Sequence, residues 1–425
     1  MSHILLWVGL VLFAQDNAGQ NNLNDMKAEL DSLRSQVELI NQDKEAKQDL
    51  TSESQEERGN PIYARMSRFG SGLHIGGYID SEFWNTEGDN APLASSDHST
   101  FDQHRFVPFF YADISDNMKM AVELEFEHGH EVGIEFATLD YWFSDAINFR
   151  TGIILAPLGQ FNLVHDAPYQ DLTRRPLVDQ TVIPAVLRDP GLGFFGSFDA
   201  DPWLFSYEIY IMNGFEDSDG TNVTTEKGLK NARPNKHGYK DNNDNKSVVA
   251  RVTASPFLGL EFGLSYYTGA YDDAGDLGLD IMAFDFTISG GGLYNALFGG
   301  GDGALRDILY AIEIVGEYAA ADLDTDATHV IDDLSGYYVE LRYHFMFDAM
   351  KSIIPGSTDE STFTAVLRWD DIDLDGAERD SLTVGLNYRP REDSVFKFEY
   401  CMNGEGGSNA DSDNDQFIFS VASYF

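Results

Sequence analysis

The sequence predicts an all-β fold: a transmembrane antiparallel β-barrel of about sixteen strands, preceded by a short N-terminal α-helical coiled coil. Two observations lead to this prediction. From Leu73 onward, segments of about ten residues alternate apolar and polar side chains, as strands with one lipid-facing and one lumen-facing side must. In addition, 20 tyrosines, 30 phenylalanines and 39 glycines favour pleated strands joined by tight turns.

The alternation is clearest over residues 118–127. Met118, Met120 and the apolar residues at every second position after them share one face, while Glu123, Glu125 and Glu127 lie on the other. A soluble sandwich does not need so regular a division. Candidate strands of this kind begin near Leu73, Gln103, Asn117, Glu131, Ala146, Gly191, Trp203, Ser247, Gly259, Leu279, Ile308, Ser335, Ser361, Ser381, Ser394 and Gln416. Their number is even, as it is in bacterial outer-membrane barrels.

The connections between these strands differ in length. If the N-terminus is periplasmic, the even-numbered connections should be short turns, and this holds for residues 115–117, 144–146, 199–202, 255–258 and 389–393. Three long connections then fall at the opposite, extracellular end: residues 85–102, 157–190 and 216–246. Two even-numbered connections, 290–307 and 348–360, are longer than the rule predicts.

The first 71 residues have a different organisation. The apolar run from Ile4 to Ala14 is too short to span a bilayer as a helix, so residues 1–14 are interpreted as a signal peptide. Residues 20–43 predict a periplasmic coiled coil, residues 44–71 a polar linker, and residues 72–425 the outer-membrane barrel. One amphipathic helix that packs on its own barrel is the alternative to the coiled coil. The heptad positions are Leu23, Met26, Leu30, Leu33, Val37 and Ile40.

Charge and motif content exclude several classes of function. The formal net charge of -43 argues against nucleic-acid binding, because a phosphate backbone would be repelled. The single cysteine, Cys401, excludes an intrachain disulfide. No nucleophile elbow, zinc-protease motif or phosphate-binding glycine loop occurs, so we expect no enzyme activity and no cofactor. His128, His130 and Glu131 cluster without a known metal-ligand spacing, so no metal site is predicted.

Several stretches resemble the phosphate-selective porin O and P family. The first are LHIGGYID (73–80), FDQHRF (101–106) and ELEFEH (123–128). The most specific run comprises RTGIILAPLG (150–159), HDAP (165–168), RRP (174–176), IP (183–184) and RDPGLG (188–193). The resemblance implies that residues 157–190 form a loop folded into the pore. It also implies an N-terminal coiled coil, a homotrimer and a preference for phosphate.

The charged residues of the inward parity are the candidates for the pore and its narrowest part. Arginine suits an anion path because its planar guanidinium stays charged and offers several donors to phosphate oxygens. Each wall arginine could instead belong to a salt-bridge network, and each loop arginine could pin the loop to the glutamates. The candidates are Arg105 and Arg150 on the wall, Arg174, Arg175 and Arg188 in the loop, and Glu123, Glu125 and Glu127 on the facing strand.

These inferences together predict a porin in the outer membrane of a Gram-negative bacterium. We expect a passive diffusion channel for small hydrophilic solutes, with anions including phosphate preferred, surrounded by outer-membrane lipid. The alternative is a structural tether, in which the coiled coil links the outer membrane to the cell wall and conduction is incidental.

Overall fold

The computed structural model describes residues 73–87, 99–234, 241–299, 303–354, 356–407 and 414–425. The predicted signal peptide, coiled coil and linker lie outside these residues, and so do the tips of some connections.

Sixteen antiparallel strands form a closed barrel, and β1 completes it by pairing with β16. The predicted strand number and barrel are confirmed. The strands are β1 Leu73–Thr86, β2 Thr100–Ser115, β3 Met118–Glu127, β4 Glu131–Trp142, β5 Asn148–Leu155, β6 Arg188–Ala200, β7 Trp203–Met212, β8 Ser247–Phe257, β9 Leu260–Ala270, β10 Gly278–Ser289, β11 Ile312–Leu323, β12 Asp333–Phe345, β13 Thr362–Leu374, β14 Ala377–Arg391, β15 Ser394–Gly407 and β16 Gln416–Tyr424.

The five even-numbered connections predicted to be short are short turns, and we call this side of the barrel the short-turn end. The two longer ones contain helices: α2 (Gly290–Phe298) and α3 (Ala304–Tyr310) before β11, and α4 (Asp348–Ile353) before β13. The prediction that the eleventh strand begins near Ile308 was therefore wrong. Residues 304–310 contain alanine and two leucines, which favour a helix, and β11 begins only at Ile312.

The outer surface of the barrel is apolar. Leu264, Met282 and Leu367 point outward and are about half exposed, whereas the residues that follow them along the strands, such as Ser265 and Arg368, are buried. This division of one apolar outer face from a polar inner face is that of a barrel that spans a membrane. Among the described residues, no helix is long and apolar enough to cross a bilayer.

The connection 156–187, which we call the inner loop, carries a 3-10 turn (Phe161–Leu163) and helix α1 (Leu177–Thr181). Its apolar side chains are buried against inward-facing residues of the wall. They form one cluster with residues of the 213–246 connection, and its members include Leu158, Leu177, Val178, Ile183, Leu187, Phe215, Leu229, Tyr267, Ile281 and Tyr338. Part of the barrel interior is thus an apolar core rather than open space.

Candidate pore and inner loop

Backbone amides of the inner loop donate to carboxylates and a hydroxyl on distant strands. The amide of Gly159 donates to Ser265 Oγ on β9 at 3.2 Å, and the amide of Gln160 donates to Glu317 Oε2 on β11 at 2.8 Å. Further along, the Leu177 amide donates to an oxygen of Asp370 on β13 at 2.9 Å. Because these partners lie on inward-facing positions around the wall, the inner loop passes through the interior of the barrel.

Gly159 shows how closely the loop approaches the wall. Its φ of +70° lies in the left-handed region, and a Cβ at this position would come within 2.0 Å of Glu317 Oε1. Only glycine allows this backbone to turn there and to leave Glu317 free to accept from the following amides.

The wall arginines are paired with carboxylates. The Nε of Arg105 lies 3.0 Å from carboxylate oxygens of both Glu125 and Glu127. Arg150 donates to both oxygens of Asp140, at 2.9 and 2.8 Å, and its guanidinium stacks on Phe195 at 4.6 Å. These contacts correspond to the salt-bridge alternative. Such pairs leave little of either guanidinium for a passing anion.

The same pairing recurs around the wall, and three of its acidic members, Asp140, Asp285 and Asp370, were not predicted from the sequence. Three further arginines that share the inward parity are held in this way: Arg251 by Asp285 at 2.7 Å, Arg342 by Glu340 at 2.6 Å and Arg368 by Asp370 at 2.9 Å. The period-two rule, applied to the acidic residues of the neighbouring strands, would have found Asp140, Asp285 and Asp370.

Arg174 and Arg175 differ although they are neighbours in sequence. Arg174 is 4% exposed and its Nη1 donates to Ser381 Oγ at 3.2 Å and to Asn403 Oδ1 at 2.6 Å. Its position is that of an anchor between the inner loop and strands β14 and β15. The side chain of Arg175 instead bonds within the loop, where its Nη1 donates to the carbonyl of Ala185, while the Arg175 carbonyl accepts from Arg368 on β13 at 3.5 Å.

A second acceptor reinforces the Arg174 anchor. Glu399 Oε1 on β15 accepts from the backbone amides of Thr173 at 2.7 Å and Arg174 at 3.3 Å. On the neighbouring strand, Arg389 donates to the carbonyl of Pro168 at 2.7 Å and lies 3.0 Å from Asp171 Oδ1. Residues 168–174 are therefore fixed to the wall mainly by polar contacts.

Arg188, at the start of β6, lies beside the middle one of the three glutamates of β3. Its Nη1 lies 3.5 Å from Glu125 Oε2, and its side chain remains 26% exposed. Glu123 is buried and Glu127 is partly exposed. We call Glu123, Glu125 and Glu127 the acidic ladder, and it stands opposite a group of cationic side chains.

Two more cations lie in this part of the interior. Burial and the nearby positive charge of Arg105 together lower the pKa of Arg175 to about 10. Burial and the nearby Arg188 also lower the pKa of Arg233, which lies just beyond the Lys230–Ala232 3-10 turn. The acidic ladder and this cationic group thus place charges of both signs inside the barrel.

A cavity of about 370 Å³ lies between the inner loop and the wall formed by β8 to β12, and its lining is partly apolar, with Phe161 and Val164. Gln160, Glu261 and Thr287 line it together with Glu313 and Arg342. It adjoins the 258–259 turn and therefore opens at the short-turn end.

Comparison with known proteins gives distant relatives. An uncharacterized protein of Aquifex aeolicus (strain VF5) is 26% identical over 358 residues, which cover 80% of this chain and 78% of that protein. No protein-family model matches the chain. The resemblance to the phosphate-selective porin O and P family is not confirmed by these comparisons.

Solved structures of two porins share the barrel. The anion-selective porin from Comamonas acidovorans aligns with a TM-score of 0.51 and 10% identity, covering 84% of this chain and 100% of that porin. OprB of Pseudomonas putida aligns with a TM-score of 0.50 and 11% identity, covering 83% and 94% of the two chains. At such low identity the likeness concerns the fold alone, and by that measure the chain has the β-barrel fold of outer-membrane porins.

Proposed function

We propose that this protein is a passive channel for small hydrophilic solutes in the outer membrane of a Gram-negative bacterium. The supporting observation is the charged interior: Arg175 and Arg188 lie beside the acidic ladder, inside a barrel with an apolar outer face. The inner face of the barrel is lined with ion pairs, and such a surface favours contact with water and polar solutes over contact with lipid.

We further propose that Arg175 and Arg188 give the passage a preference for anions, phosphate among them. Arg105 and Arg150 are held by carboxylates at 3.0 and 2.8 Å, whereas Arg188 lies 3.5 Å from Glu125 and the Arg175 side chain bonds to a loop carbonyl, so these two are the main candidates for attracting an anion. Opposite charges about 4 Å apart interact by roughly 4 kcal/mol at an effective dielectric constant near 20, which is enough to bias permeation.

Single-channel recording in a planar bilayer tests both statements. The wild-type protein should conduct, and the double variant Arg175→Gln, Arg188→Gln should move the reversal potential in a salt gradient toward cations and weaken block of chloride current by phosphate. Arg391→Gln is the matched control, because Arg391 is 69% exposed and is the last residue of β14, at the short-turn end. An unchanged reversal potential in the double variant would contradict the proposed anion selectivity.

A structural tether is the second candidate function. The observation that favours it is the apolar core formed by the inner loop and the 213–246 connection, which reduces the open space in the barrel. In that case the wild-type protein inserted in a bilayer should pass no ion current. Removal of residues 20–43 should then weaken the attachment of the outer membrane to the cell wall, whereas a channel would keep its current.

A further inference from the structure

A β-bulge between β1 and β2 brings a histidine to the inner face beside two carboxylates. Asp80 pairs with Arg105, and Glu82 pairs with Asp102, so two residues of β2 stand opposite one residue of β1. The extra residue changes the alternation of β2 locally, and His104 turns toward Asp80 and Glu82. Bulges often reorient a side chain in this way next to functional sites.

The three side chains converge on one point. His104 Nδ1 lies 3.1 Å from Asp80 Oδ2 and 2.7 Å from Glu82 Oε1, and all the candidate ligand atoms fall within 4.8 Å of one another. Asp80 is 1% exposed, and its Oδ1 is buried without a hydrogen-bond partner. An ion pair with one imidazolium leaves this oxygen unsatisfied, which is costly in a buried position.

We propose that Asp80, Glu82 and His104 form a binding site for a divalent transition-metal ion such as Zn²⁺. One imidazole nitrogen and two carboxylate groups are a ligand set that Zn²⁺ accepts, and further coordination positions remain for water. A bound cation would also offset the charge of the buried Asp80 carboxylate, one oxygen of which has no hydrogen-bond partner. The side chain of His104 is 22% exposed, so an ion can reach the site from solvent.

Neighbouring residues orient the ligands. The indole Nε1 of Trp84 donates to Glu82 Oε2 at 2.5 Å, which leaves Oε1 directed at His104. The amide group of Gln103 donates to the carbonyls of Asp80 at 2.8 Å and Arg105 at 3.2 Å, and so bridges the two strands at the bulge. Hydrogen bonds of this kind hold metal ligands in place before the ion binds.

Lys397 on β15 is the cation that competes with the metal ion. It is buried and interacts electrostatically with Asp80. Arg105, the other neighbouring cation, is already held by Glu125 and Glu127. Replacing Lys397 by methionine should therefore tighten metal binding, a change that a purely structural role of the three ligands would not produce.

Titration of the folded full-length protein in detergent with Zn²⁺ alone tests the proposal, with Co²⁺ absorption as a second readout. We expect one saturable site per chain, at least tenfold weaker binding in His104→Ala and Asp80→Asn, and tighter binding in Lys397→Met. His130→Gln is the matched control, because the His130 side chain is 73% exposed and lies outside the three ligands. Heat-modifiable migration in gels shows that each variant is folded.

Several results would overturn the proposal. One is the absence of saturable Zn²⁺ binding by the wild type, which would mean that His104 simply forms an ion pair with the two carboxylates. Another is equal binding by the wild type, His104→Ala and Asp80→Asn. A loss of binding in His130→Gln but not in His104→Ala would assign the ion to the nearby His128 and His130 pair instead. If a ligand variant does not fold, Lys397→Met decides: unchanged affinity counts against the site.

Discussion

Replacing Arg174 by glutamine should loosen the first part of the inner loop without releasing all of it. The guanidinium donates to Ser381 and Asn403 in a site that is almost closed to solvent. A hydrogen bond from a charged donor contributes about 1.5–3 kcal/mol, so loss of the anchor should cost at least roughly 3 kcal/mol. That corresponds to a change of about two orders of magnitude in the local docking equilibrium.

The apolar contacts of the same loop are stronger in total. Leu177, Val178, Ile183 and Leu187 are each at most 1% exposed, and full burial of one such side chain contributes roughly 1.5–3 kcal/mol. Their combined contribution exceeds that of the Arg174 anchor. We therefore expect residues 174–176 to become more mobile, while Arg389 and Glu399 hold residues 168–173 and helix α1 stays against the wall.

Single-channel recording distinguishes the two parts of the loop. Arg174→Gln should add noise to the open current and raise the mean conductance modestly, whereas Leu177→Asp should raise the conductance severalfold because it places a charge in the apolar core. Arg174→Lys, which keeps a charged donor, is the control and should remain close to the wild type. A severalfold rise in conductance in Arg174→Gln alone would refute the conclusion that the apolar contacts hold the loop more strongly than the Arg174 anchor does.

Three further predictions concern pH, assembly and oligomerisation. Burial, and then the charge of Glu317, raise the pKa of Asp179 on α1 well above its usual range. The docking of α1 is therefore most stable below the usual pKa of a carboxyl group, and it weakens as the pH rises through the raised pKa of Asp179. Conductance should accordingly increase with pH in the wild type. In Asp179→Asn it should not. Deleting Phe425, whose amide donates to the Gly77 carbonyl at 2.9 Å, should reduce the amount of heat-modifiable barrel in outer membranes; normal levels would contradict this. The double variant Leu30→Asp, Leu33→Asp should dissociate a trimer, as measured by the mass of the purified complex, because charged side chains in a heptad core are costly to desolvate; a wild-type monomer would exclude the trimer itself.

The strands could be predicted because lipid on one side and a polar interior on the other impose a period of two on the sequence. Met118 and Glu123, for example, lie on opposite faces of β3 as their positions in the alternation require. The start of β11 could not be placed in this way. Residues 304–310, which form a helix, are as rich in apolar side chains as the strand that follows them. Composition alone does not distinguish the two over so short a segment.

The roles of individual arginines were much less predictable. Arg174 and Arg175 are identical in type and adjacent in sequence, yet only Arg174 reaches Asn403 on β15. The sequence also groups His128, His130 and Glu131 and gives no sign that Asp80, Glu82 and His104 meet. His104 reaches Asp80 only because of the β-bulge in β2. Contacts between residues so far apart in the chain, and local departures from regular pairing, leave no periodic pattern in the sequence.

The hydrogen bond from the Thr173 amide to Glu399 has a consequence for the order of folding. The two residues are 226 positions apart, and Glu399 belongs to the penultimate strand of the barrel. This contact cannot form until β15 has joined the sheet, so the inner loop can take its final position only late in assembly. A chain that fails to add its last strands leaves these loop amides without their acceptor. The final position of the inner loop therefore depends on closure of the barrel.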